Sequence, residues 1–384
     1  MRKLAINRLR ERKPLDESRI DRFLQRHQVP IVEGPKCTFL FRGGEDDGVD
    51  EVWVCHRIVG QPDRVPMKRL GNTSLWFTIM ELPAGSRVEY QIEVRRAEHY
   101  ERFNDPLNPK LAHSPVGSSS VCQATGYTEP EWARFDPDSR PGELLELSQA
   151  SGALRRESHC RVYLPARFST THRYPLLVVH DGDDFLEFAA MKNVLDNLIH
   201  RRDMAETIVA FTNPGDRTRE YANSAQHARF LHSELIPRLE SELPLLGTPA
   251  GRCLMGASFG GIASLSTAYR YPDFFGSLLV QSGSFVFTDI GNEHGGGPAF
   301  DPVVRFMNRY RAKPRRVVDR MYQSCGIYEP LIVPNRSMVD VFRGTGMDVR
   351  YSEARDGHSW EDWRDRLREG LSWIYPGSAQ YFYE

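Results

Sequence analysis

A glycine-serine motif in the second half of the chain most constrains what this sequence can fold into. Residues 256–260 read Gly-Ala-Ser-Phe-Gly, the pattern G-x-S-x-G. The apolar residues Cys253–Met255 precede the motif and are predicted to end a buried strand, and the helix-compatible run Ile262–Arg270 follows it. Between a strand and a helix, this pattern predicts a sharp turn that exposes its serine, and the two glycines remove side chains that would clash there. Ser258 is therefore the candidate nucleophile.

The chain divides into two regions with different hydrophobic periodicity. Residues 1–128 begin with a helical segment and continue with short alternating strands between turns, which predicts a β-sandwich. Residues 158–384 alternate apolar runs with amphipathic helical stretches, which predicts an α/β region with a mainly parallel sheet. Residues 129–157 carry prolines and charges and are predicted to form a linker with some helix. The predicted strands are Thr38–Arg42, Glu51–His56, Leu75–Met80 and Arg87–Val94, then Cys160–Leu164, Leu176–His180, Ile208–Thr212, Arg252–Met255 and Ser277–Gln281.

Composition narrows the class of partner. Lys plus Arg (50) nearly balance Asp plus Glu (51), so no bulk field favours nucleic acid or an anionic membrane, and a small-molecule partner is expected. Residues 1–25 contain no apolar signal core, and no apolar run reaches the roughly 18 residues of a membrane span, which favours a cytoplasmic protein. The six cysteines include no C-x-x-C pair, so we expect buried, reduced thiols and no zinc site. The composition leaves open whether the chain forms a homo-oligomer.

A serine nucleophile needs a base and an orienting carboxylate, which follow it in the chain order serine, acid, histidine in an α/β-hydrolase. His358 lies between the strand-like Asp348–Ser352 and an amphipathic helix from Glu361 onward, which is where this fold presents its base. The alternative is a surface histidine that caps a helix. His294, in a glycine-rich loop, is a weaker candidate.

The acid must lie between the serine and the histidine. Glu329 follows the apolar run Met321–Cys325 and precedes the helix-like Asn335–Phe342, which predicts a position at the carboxyl end of a strand. Its alternative role is a favourable negative charge at a helix amino terminus. Other carboxylates satisfy the order without that context, or lie too near the histidine in sequence: Asp301, Asp319, Asp340 and Asp356.

Two backbone N–H groups must stabilise the oxyanion that forms during acyl transfer. One is predicted to be that of Phe259, directly after the nucleophile. The second is predicted to come from the loop after Leu176–His180, as the amide of Gly182 or Asp183. Asp183 and the neighbouring Asp184 could instead suggest a metal, but no histidine cluster joins them, so neither a metal nor a cofactor is expected.

Motifs in both regions form a set whose order and spacing are specific. They are Asp216–Tyr221, Phe230–Pro237, Gly256–Gly261, Gln281–Ser284, Gly326–Ile332, Gly357–Trp360 with Trp363 and Arg364, and, nearer the amino terminus, Pro66–Leu70 and Asn104–Pro109. Together they resemble the enterochelin (enterobactin) esterase branch of the esterase D superfamily. The resemblance implies an α/β-hydrolase catalytic domain preceded by an early-set, immunoglobulin-like β-sandwich. It also implies cleavage of the ester bonds of a catecholate trilactone siderophore, free or ferric, for iron release inside the cell.

The resemblance implies roles for individual residues as well. Ser258, His358 and Glu329 would form the catalytic triad, and Arg217 and Trp360 would contact the substrate. The alternative for Arg217 is a salt bridge with Glu220 or Glu234, and the alternative for Trp53 and Trp76 as glycan-binding aromatics is a place in the core. Two other functions stay open: a feruloyl, acetyl or general carboxylesterase, and a catalytically silent binding protein.

Overall fold

The computed structural model describes residues 3–44, 48–288 and 297–378, which form two compact units. The first unit contains Met1–Thr128 together with Ile327–Glu329 and Ala354–Ser359. The second contains Glu129–Gly326, Pro330–Glu353 and Trp360–Glu384. Two short segments that are late in the sequence therefore belong to the amino-terminal unit.

The first unit begins with two helices and continues as two antiparallel sheets. The helices are α1 (Ala5–Glu11) and α2 (Glu17–Gln25), and the strands are β1 (Ile31–Glu33), β2 (Lys36–Arg42), β3 (Glu51–His56), β4 (Arg64–Pro66), β5 (Lys68–Arg69), β6 (Leu75–Glu81), β7 (Arg87–Arg96), β8 (His99–Phe103), β9 (Leu111–Ser114) and β10 (Gly117–Gln123). One sheet has the order β1-β2-β6-β5 and the other β4-β3-β7-β10-β9, with β8 paired to β7.

Strand β2 shows how alternation builds this unit. Phe39 and Phe41 belong to the core cluster shared with Val54 of β3, whereas Leu40 belongs to the cluster that includes Ile20 of α2. Successive side chains of a strand point to opposite faces, so one face of β2 closes the sandwich and the other is covered by the helices. The amino-terminal helices are thus part of the fold of this unit.

The second unit is built on a mixed sheet flanked by helices. In the described residues the strand order is β11-β12-β14-β13-β15-β16-β17-β18, and β14, β13, β15, β16 and β17 pair in parallel. The strands are β11 (Glu143–Ser151), β12 (Arg156–Leu164), β13 (Leu176–His180), β14 (Ile208–Thr212), β15 (Arg252–Ala257), β16 (Ser277–Gln281), β17 (Arg320–Gly326) and β18 (Asp348–Ala354). Strands β13 and β14 are apolar except for their last residues, His180 and Thr212, and are buried throughout, as expected for strands covered on both faces.

Helices connect strands of this unit, and one more helix follows the last strand. They are α3 (Gly182–Phe188), α4 (Met191–His200), α5 (Arg217–Tyr221), α6 (Ala225–Phe230), α7 (Ile236–Glu242), α8 (Phe259–Arg270), α9 (Asp301–Ala312), α10 (Ile332–Gly344) and α11 (Trp360–Ile374), with a π-helical turn over Leu231–Leu235. In the described part of the chain, no helix is both long and apolar enough to cross a membrane. All six cysteines are buried and are present as thiols.

The predicted linker is wrong in its interior. Residues 143–151 form β11, which pairs antiparallel with β12 from Glu143–Leu164 to Ser151–Arg156. Helical structure in this segment is a short 3₁₀ turn, Glu131–Ala133. The strand was missed because β11 lies at the edge of the sheet, where most of its side chains are exposed and charges hide the alternation.

Candidate active site

The G-x-S-x-G motif forms the predicted sharp turn between β15 and α8. Ser258 has φ 56° and ψ −119°, a strained conformation for a residue with a side chain, and it is half-buried. A Cβ at Gly256 would lie 2.4 Å from the carbonyl carbon and oxygen of Gly260, so the turn closes only with glycine at position 256. The backbone therefore holds the serine at the carboxyl end of a buried strand.

Hydrogen bonds from the neighbouring strand support this turn. The Ser258 N–H donates to the carbonyl oxygen of Gln281, the last residue of β16, at 2.9 Å. The N–H of Ser284 donates to the Ser258 carbonyl oxygen at 3.1 Å, and the two serine Oγ atoms are 3.3 Å apart. Ser284 is thus the hydroxyl next to the candidate nucleophile.

The two predicted oxyanion donors lie at helix amino termini. Phe259 is the first residue of α8 and Gly182 is the first residue of α3. Backbone N–H groups in a first helical turn have no acceptor within the helix, so they can bind an anion. A Cβ at Gly182 would lie 2.5 Å from backbone and side-chain carbons of Phe211, which explains the glycine. The Asp183 amide already donates to Asn213 Oδ1 at 2.9 Å, which makes it the weaker of the two predicted donors.

Arg217 binds the residue just before Gly182. Its Nε and Nη2 donate to Oδ1 and Oδ2 of Asp181, each at 2.8 Å. Asp181 is buried and has φ 55°, so the ion pair holds a left-handed residue at the start of the loop. The alternative considered for Arg217, a salt bridge with Glu220 or Glu234, is wrong, because the carboxylate that Arg217 binds is that of Asp181.

Those two glutamates have partners of their own. Glu220 accepts two 2.8 Å hydrogen bonds from the guanidinium of Arg156. Glu234 accepts hydrogen bonds from Ser151 Oγ and from the backbone N–H of Ala153. Both therefore tie helical segments to the β11–β12 hairpin.

Two buried histidines, His180 and His227, are in contact, and His180 directly precedes the oxyanion loop in sequence. Burial lowers the pKa of His180 to about 4 and the pKa of His227 well below its usual value, so both rings are neutral at pH 7. His180 Nδ1 donates to the Met255 carbonyl oxygen at 2.8 Å. Its Nε2 must then accept from His227 Nε2, 3.0 Å away. His180 thus joins the end of β13 both to strand β15, which precedes the nucleophile, and to α6, which carries His227.

The predicted base and acid are in contact within the first unit. His358 Nδ1 lies 2.5 Å from Glu329 Oε2, and the Glu329 side chain is 1% exposed while that of His358 is 35% exposed. A carboxylate can only accept, so Nδ1 carries the proton and Nε2 is the nitrogen that can take another. Glu329 therefore sets the tautomer that a general base needs.

The other carboxylates considered for the acid have different surroundings. Asp356 binds Arg87, Asp319 binds Arg316, Asp301 begins α9, and Asp340 is exposed on α10. Glu329 follows the end of β17 by three residues, and His358 follows the end of β18 by four. This is the strand-end position that the sequence predicts for both residues.

Trp360, predicted to contact the substrate, packs against other aromatic rings. Trp360 lies in a cluster with Phe185, Phe188 and Trp363, at ring-centroid distances of 5.2, 5.9 and 4.8 Å. Its side chain is half-buried, and its contact with substrate stays a prediction. Since Phe185 and Phe188 belong to α3, this cluster also supports the helix that begins at the oxyanion loop.

The two tryptophans considered for glycan binding differ in burial. Trp76 is in the sandwich core. Trp53 is half-buried, and the Arg64 guanidinium covers its ring at 4.8 Å from the centroid and the ring of Tyr100 at 5.4 Å. Trp76 therefore has the core position that was considered as the alternative to glycan binding. The ring of Trp53 is covered by the Arg64 guanidinium and does not present an open face.

Metal binding was considered for the adjacent aspartates after β13. Within residues 3–44, 48–288 and 297–378, no group of three or more His, Cys, Asp or Glu side chains is arranged to hold a metal ion. Burial and the nearby Asp181 raise the pKa of Asp184 to about 6. The weaker base candidate His294 lies outside the described residues.

Comparison with known proteins places the chain in a family. The model of the Esterase family, described as "Putative esterase", matches residues 151–374, more than half of the chain. The chain belongs to the esterase family. Iron(III) enterobactin esterase from Escherichia coli O6:H1 is 23% identical over 372 residues, covering 87% of this chain and 90% of that protein. The uncharacterized protein YjcH of Bacillus subtilis is 29% identical over 148 residues, covering 37% of this chain and 62% of that protein.

A solved structure extends the likeness to both units of this esterase. The enterochelin esterase of Shigella flexneri matches with a TM-score of 0.73 at 20% identity, covering 92% of this chain and 97% of that one. The predicted fold class, an α/β-hydrolase catalytic region preceded by an early-set β-sandwich, is confirmed.

Three residues beside the candidate site of this esterase were given no role from the sequence. Asp181, Asn213 and Ser284 each follow the carboxyl end of a parallel strand, β13, β14 and β16 respectively. Carboxyl ends of parallel strands lie at one edge of a sheet, where α/β proteins bind ligands. Applying that rule to every predicted strand, rather than to the motif strands alone, would have found them.

Proposed function

We propose that this esterase is a serine carboxylesterase that cleaves the ester bonds of an enterobactin-type catecholate trilactone siderophore in the cytoplasm, for iron release. The observation that carries the proposal is the extent of similarity to iron(III) enterobactin esterase, which spans 87% of this chain. A match confined to the hydrolase region would support an esterase of any kind. Similarity that also includes the sandwich supports a substrate of the same class.

The proposed reaction uses Ser258, His358 and Glu329 as a triad. Ser258 Oγ attacks the lactone carbonyl carbon while His358 Nε2 takes the hydroxyl proton. The tetrahedral intermediate collapses, the bond to the leaving seryl oxygen breaks, and the imidazolium returns the proton to that oxygen. Water then hydrolyses the acyl-enzyme by the same steps, regenerating the serine hydroxyl. The 2.5 Å contact between Glu329 and His358 supports this assignment of base and acid.

The proposed oxyanion donors are the backbone amides of Phe259 and Gly182. Both begin helices, and α8 extends over twelve residues, so its amino terminus adds positive potential beside the nucleophile. Asp183 is the weaker alternative because Asn213 already accepts from its amide. Holding Asp181 in its left-handed conformation would keep Gly182 in position.

Recognition of an anionic siderophore must be local, because the chain has a formal net charge of −1. We propose Arg217 and Trp360 as substrate contacts. Two nitrogens of Arg217 are used by Asp181, and its side chain is 40% exposed, so Nη1 is the group that would meet an anionic oxygen. Trp360 would offer the edge of its ring to a catechol.

The proposal is tested by product analysis. The purified protein is incubated with an enterobactin-type trilactone, free and ferric, and in parallel with a feruloyl ester and a simple acetyl ester, and the products are identified by mass spectrometry. We expect linear seryl products from the trilactone, and none with Ser258→Ala. Preference for the feruloyl or acetyl ester would keep the serine mechanism and reject the siderophore. No turnover of any ester, with no labelling of Ser258 by a fluorophosphonate, would favour a silent binding protein.

A further inference from the structure

We propose that Arg87, the first residue of β7, is a positioning residue that holds the loop carrying His358 in its catalytic conformation. The inference rests on the proposed roles of His358 and Glu329. It gives the amino-terminal sandwich a part in catalysis that does not depend on contact with substrate. All the groups concerned belong to the first unit.

Hydrogen bonds from Arg87 reach the loop on both sides of the histidine. Nη1 lies 3.1 Å from Asp356 Oδ1 and 3.4 Å from Oδ2, and 3.1 Å from Ser359 Oγ. The Arg87 backbone N–H donates to the carbonyl oxygen of Arg355 at 2.9 Å. Residues before and after His358 are therefore bound by one side chain and one amide of β7. The chain between these contacts has little freedom to turn the imidazole.

The loop also has bonds that depend on the same carboxylate. Asp356 Oδ1 accepts from the backbone N–H of Gly357 at 2.7 Å and from Ser359 Oγ at 3.3 Å. Asp356, Ser359 and Arg87 are all buried, so water cannot replace a lost partner easily. A buried charge left without its partner is strongly unfavourable, and the loop would rearrange to expose it. The geometry of the loop thus depends on the guanidinium.

The residue before Arg87 reaches the loop that carries the acid. Ser86 Oγ lies 2.6 Å from the Tyr328 hydroxyl, and the Val59 N–H donates to the Tyr328 carbonyl oxygen at 2.9 Å. The Tyr328 ring packs against the core of the sandwich, and Glu329 is the next residue. Two consecutive residues of the sandwich therefore contact the acid loop and the base loop.

The two loops are also joined to each other. The Ile327 N–H donates to the Ala354 carbonyl oxygen at 2.8 Å, and the Tyr328 N–H donates to the Asp356 carbonyl oxygen at 3.0 Å. Arg87 acts on Asp356, and Asp356 acts on the acid loop, so the pair of Glu329 and His358 is held from both ends. Misplacing a catalytic group by about 1 Å can reduce the rate by about 100-fold.

The test compares Arg87→Ala and Arg87→Lys with Arg96→Ala, a control on the same strand whose ion pair with Glu101 is partly exposed. The measurements are kcat and KM on whichever ester the wild type cleaves, and the rate of fluorophosphonate labelling of Ser258. For Arg87→Ala we expect kcat and labelling to fall about 100-fold with KM within about 2-fold. Arg87→Lys should recover part of the loss, and Arg96→Ala should match the wild type.

A spectroscopic measurement separates positioning from general stability. The proton that His358 Nδ1 donates to Glu329 gives a far-downfield proton resonance, identified by its absence in Glu329→Ala and His358→Ala. We expect Arg87→Ala to lose or shift this signal and Arg96→Ala to keep it. An Arg87→Ala protein that is less heat-stable but keeps the signal, the labelling rate and kcat would overturn the inference.

A second variant covers the case in which Arg87→Ala does not fold. Arg87→Met with Asp356→Asn removes both buried charges, so neither is left unpaired. We expect this double variant to fold and still lose the downfield signal and most of kcat; wild-type values for both would overturn the inference. If the wild type itself fails to label at Ser258, the proposed function fails. The downfield signal still decides the role of Arg87, because it needs neither the serine nor a substrate.

Discussion

Two arginine–aspartate pairs hold two loops of this esterase in different ways. Arg217 binds Asp181 through two parallel hydrogen bonds, and 40% of its side chain is exposed. Arg87 reaches Asp356 and Ser359 through Nη1, and both of its Nη atoms also lie 3.3 Å from the partly exposed Glu89 Oε1. Only 2% of the Arg87 side chain is exposed. In the first pair, Asp181 directly precedes the proposed oxyanion donor Gly182. In the second, Asp356 lies two residues before the proposed base, His358.

The difference shows two ways of fixing a loop. The bidentate geometry of the Arg217 pair gives directional binding even where the guanidinium meets water. The geometry of the Arg87 pair is less ideal, but both of its side chains are buried, so removing the guanidinium leaves the Asp356 carboxylate away from water without that positive charge. The base loop should therefore be the more sensitive of the two to loss of its arginine.

Removal of the nucleophile should have the largest effect and sets the scale for both loops. We expect Ser258→Ala to reduce kcat by about 10⁵- to 10⁶-fold, because the variant has no hydroxyl to form the acyl-enzyme that the base and the oxyanion donors serve. The assay is turnover of the preferred ester. The far-UV circular dichroism spectrum should not change, since the φ of 56° at position 258 is held by the surrounding backbone. Retained turnover with a wild-type spectrum would reject Ser258 as the nucleophile.

A variant of the proposed acid, Glu329, tests the base loop while Arg87 stays in place. Glu329→Gln should reduce kcat by about 10⁴-fold, because an amide can no longer stabilise the imidazolium or fix its tautomer as a carboxylate does. KM should change little. Glu353→Gln is the matched control, since Glu353 forms a surface ion pair with Arg336. An unchanged rate in Glu329→Gln would move the role of the acid to another carboxylate.

The stability of the two arginine variants tests the comparison directly. Arg87→Ala should lower the free energy of unfolding by about 3–5 kcal/mol, the range for a buried charge that loses its partner. Arg217→Ala should lower it by about 1–3 kcal/mol, because Asp181 then remains buried but next to a site open to water. Urea denaturation measures both, with Arg219→Ala, exposed on the same helix as Arg217, as control. Equal losses in the two variants would show that burial does not distinguish the pairs.

The same pairs show how far the sequence could predict this molecule. The elbow, the strands Leu176–His180 and Ser277–Gln281, and the contact of Glu329 with His358 follow from local patterns whose meaning does not depend on distant residues. Arg87 and Asp356 are 269 positions apart, and no local pattern connects them. Only the folded chain shows that a sandwich strand meets the histidine loop. For the same reason, the salt bridges considered for Arg217 were with Glu220 and Glu234, which lie nearer to it in sequence than its partner Asp181 does.

Stability on the oxyanion side of the comparison should also depend on pH, and this is the smallest of the expected effects. The pKa of His180 is about 4 in the folded state, because of burial, and about 6.5 in the unfolded state. The unfolded state therefore binds the proton first, and stability is lost as the pH falls from about 6.5 towards about 4. The raised pKa of Asp184, about 6 because of burial, acts in the opposite sense below about pH 6, over most of this range.

Burial also lowers the pKa of His227 well below its usual value, so this ring acts in the same direction as His180. A variant of His227 isolates its part of the effect. His227→Gln keeps an N–H donor for His180 Nε2 but removes one titrating ring, and it leaves Asp184 as it is. We expect the thermal midpoint of the wild type to fall between pH 6.5 and pH 4, and that of His227→Gln to fall less steeply. Parallel slopes would place the acid sensitivity elsewhere in the fold. A shallower slope would show that protonation of His227 contributes to the loss of stability in acid. His227 contacts His180, the residue before Asp181, so this sensitivity belongs to the oxyanion side of the molecule. We expect no such pH dependence from the base loop, which Arg87 holds.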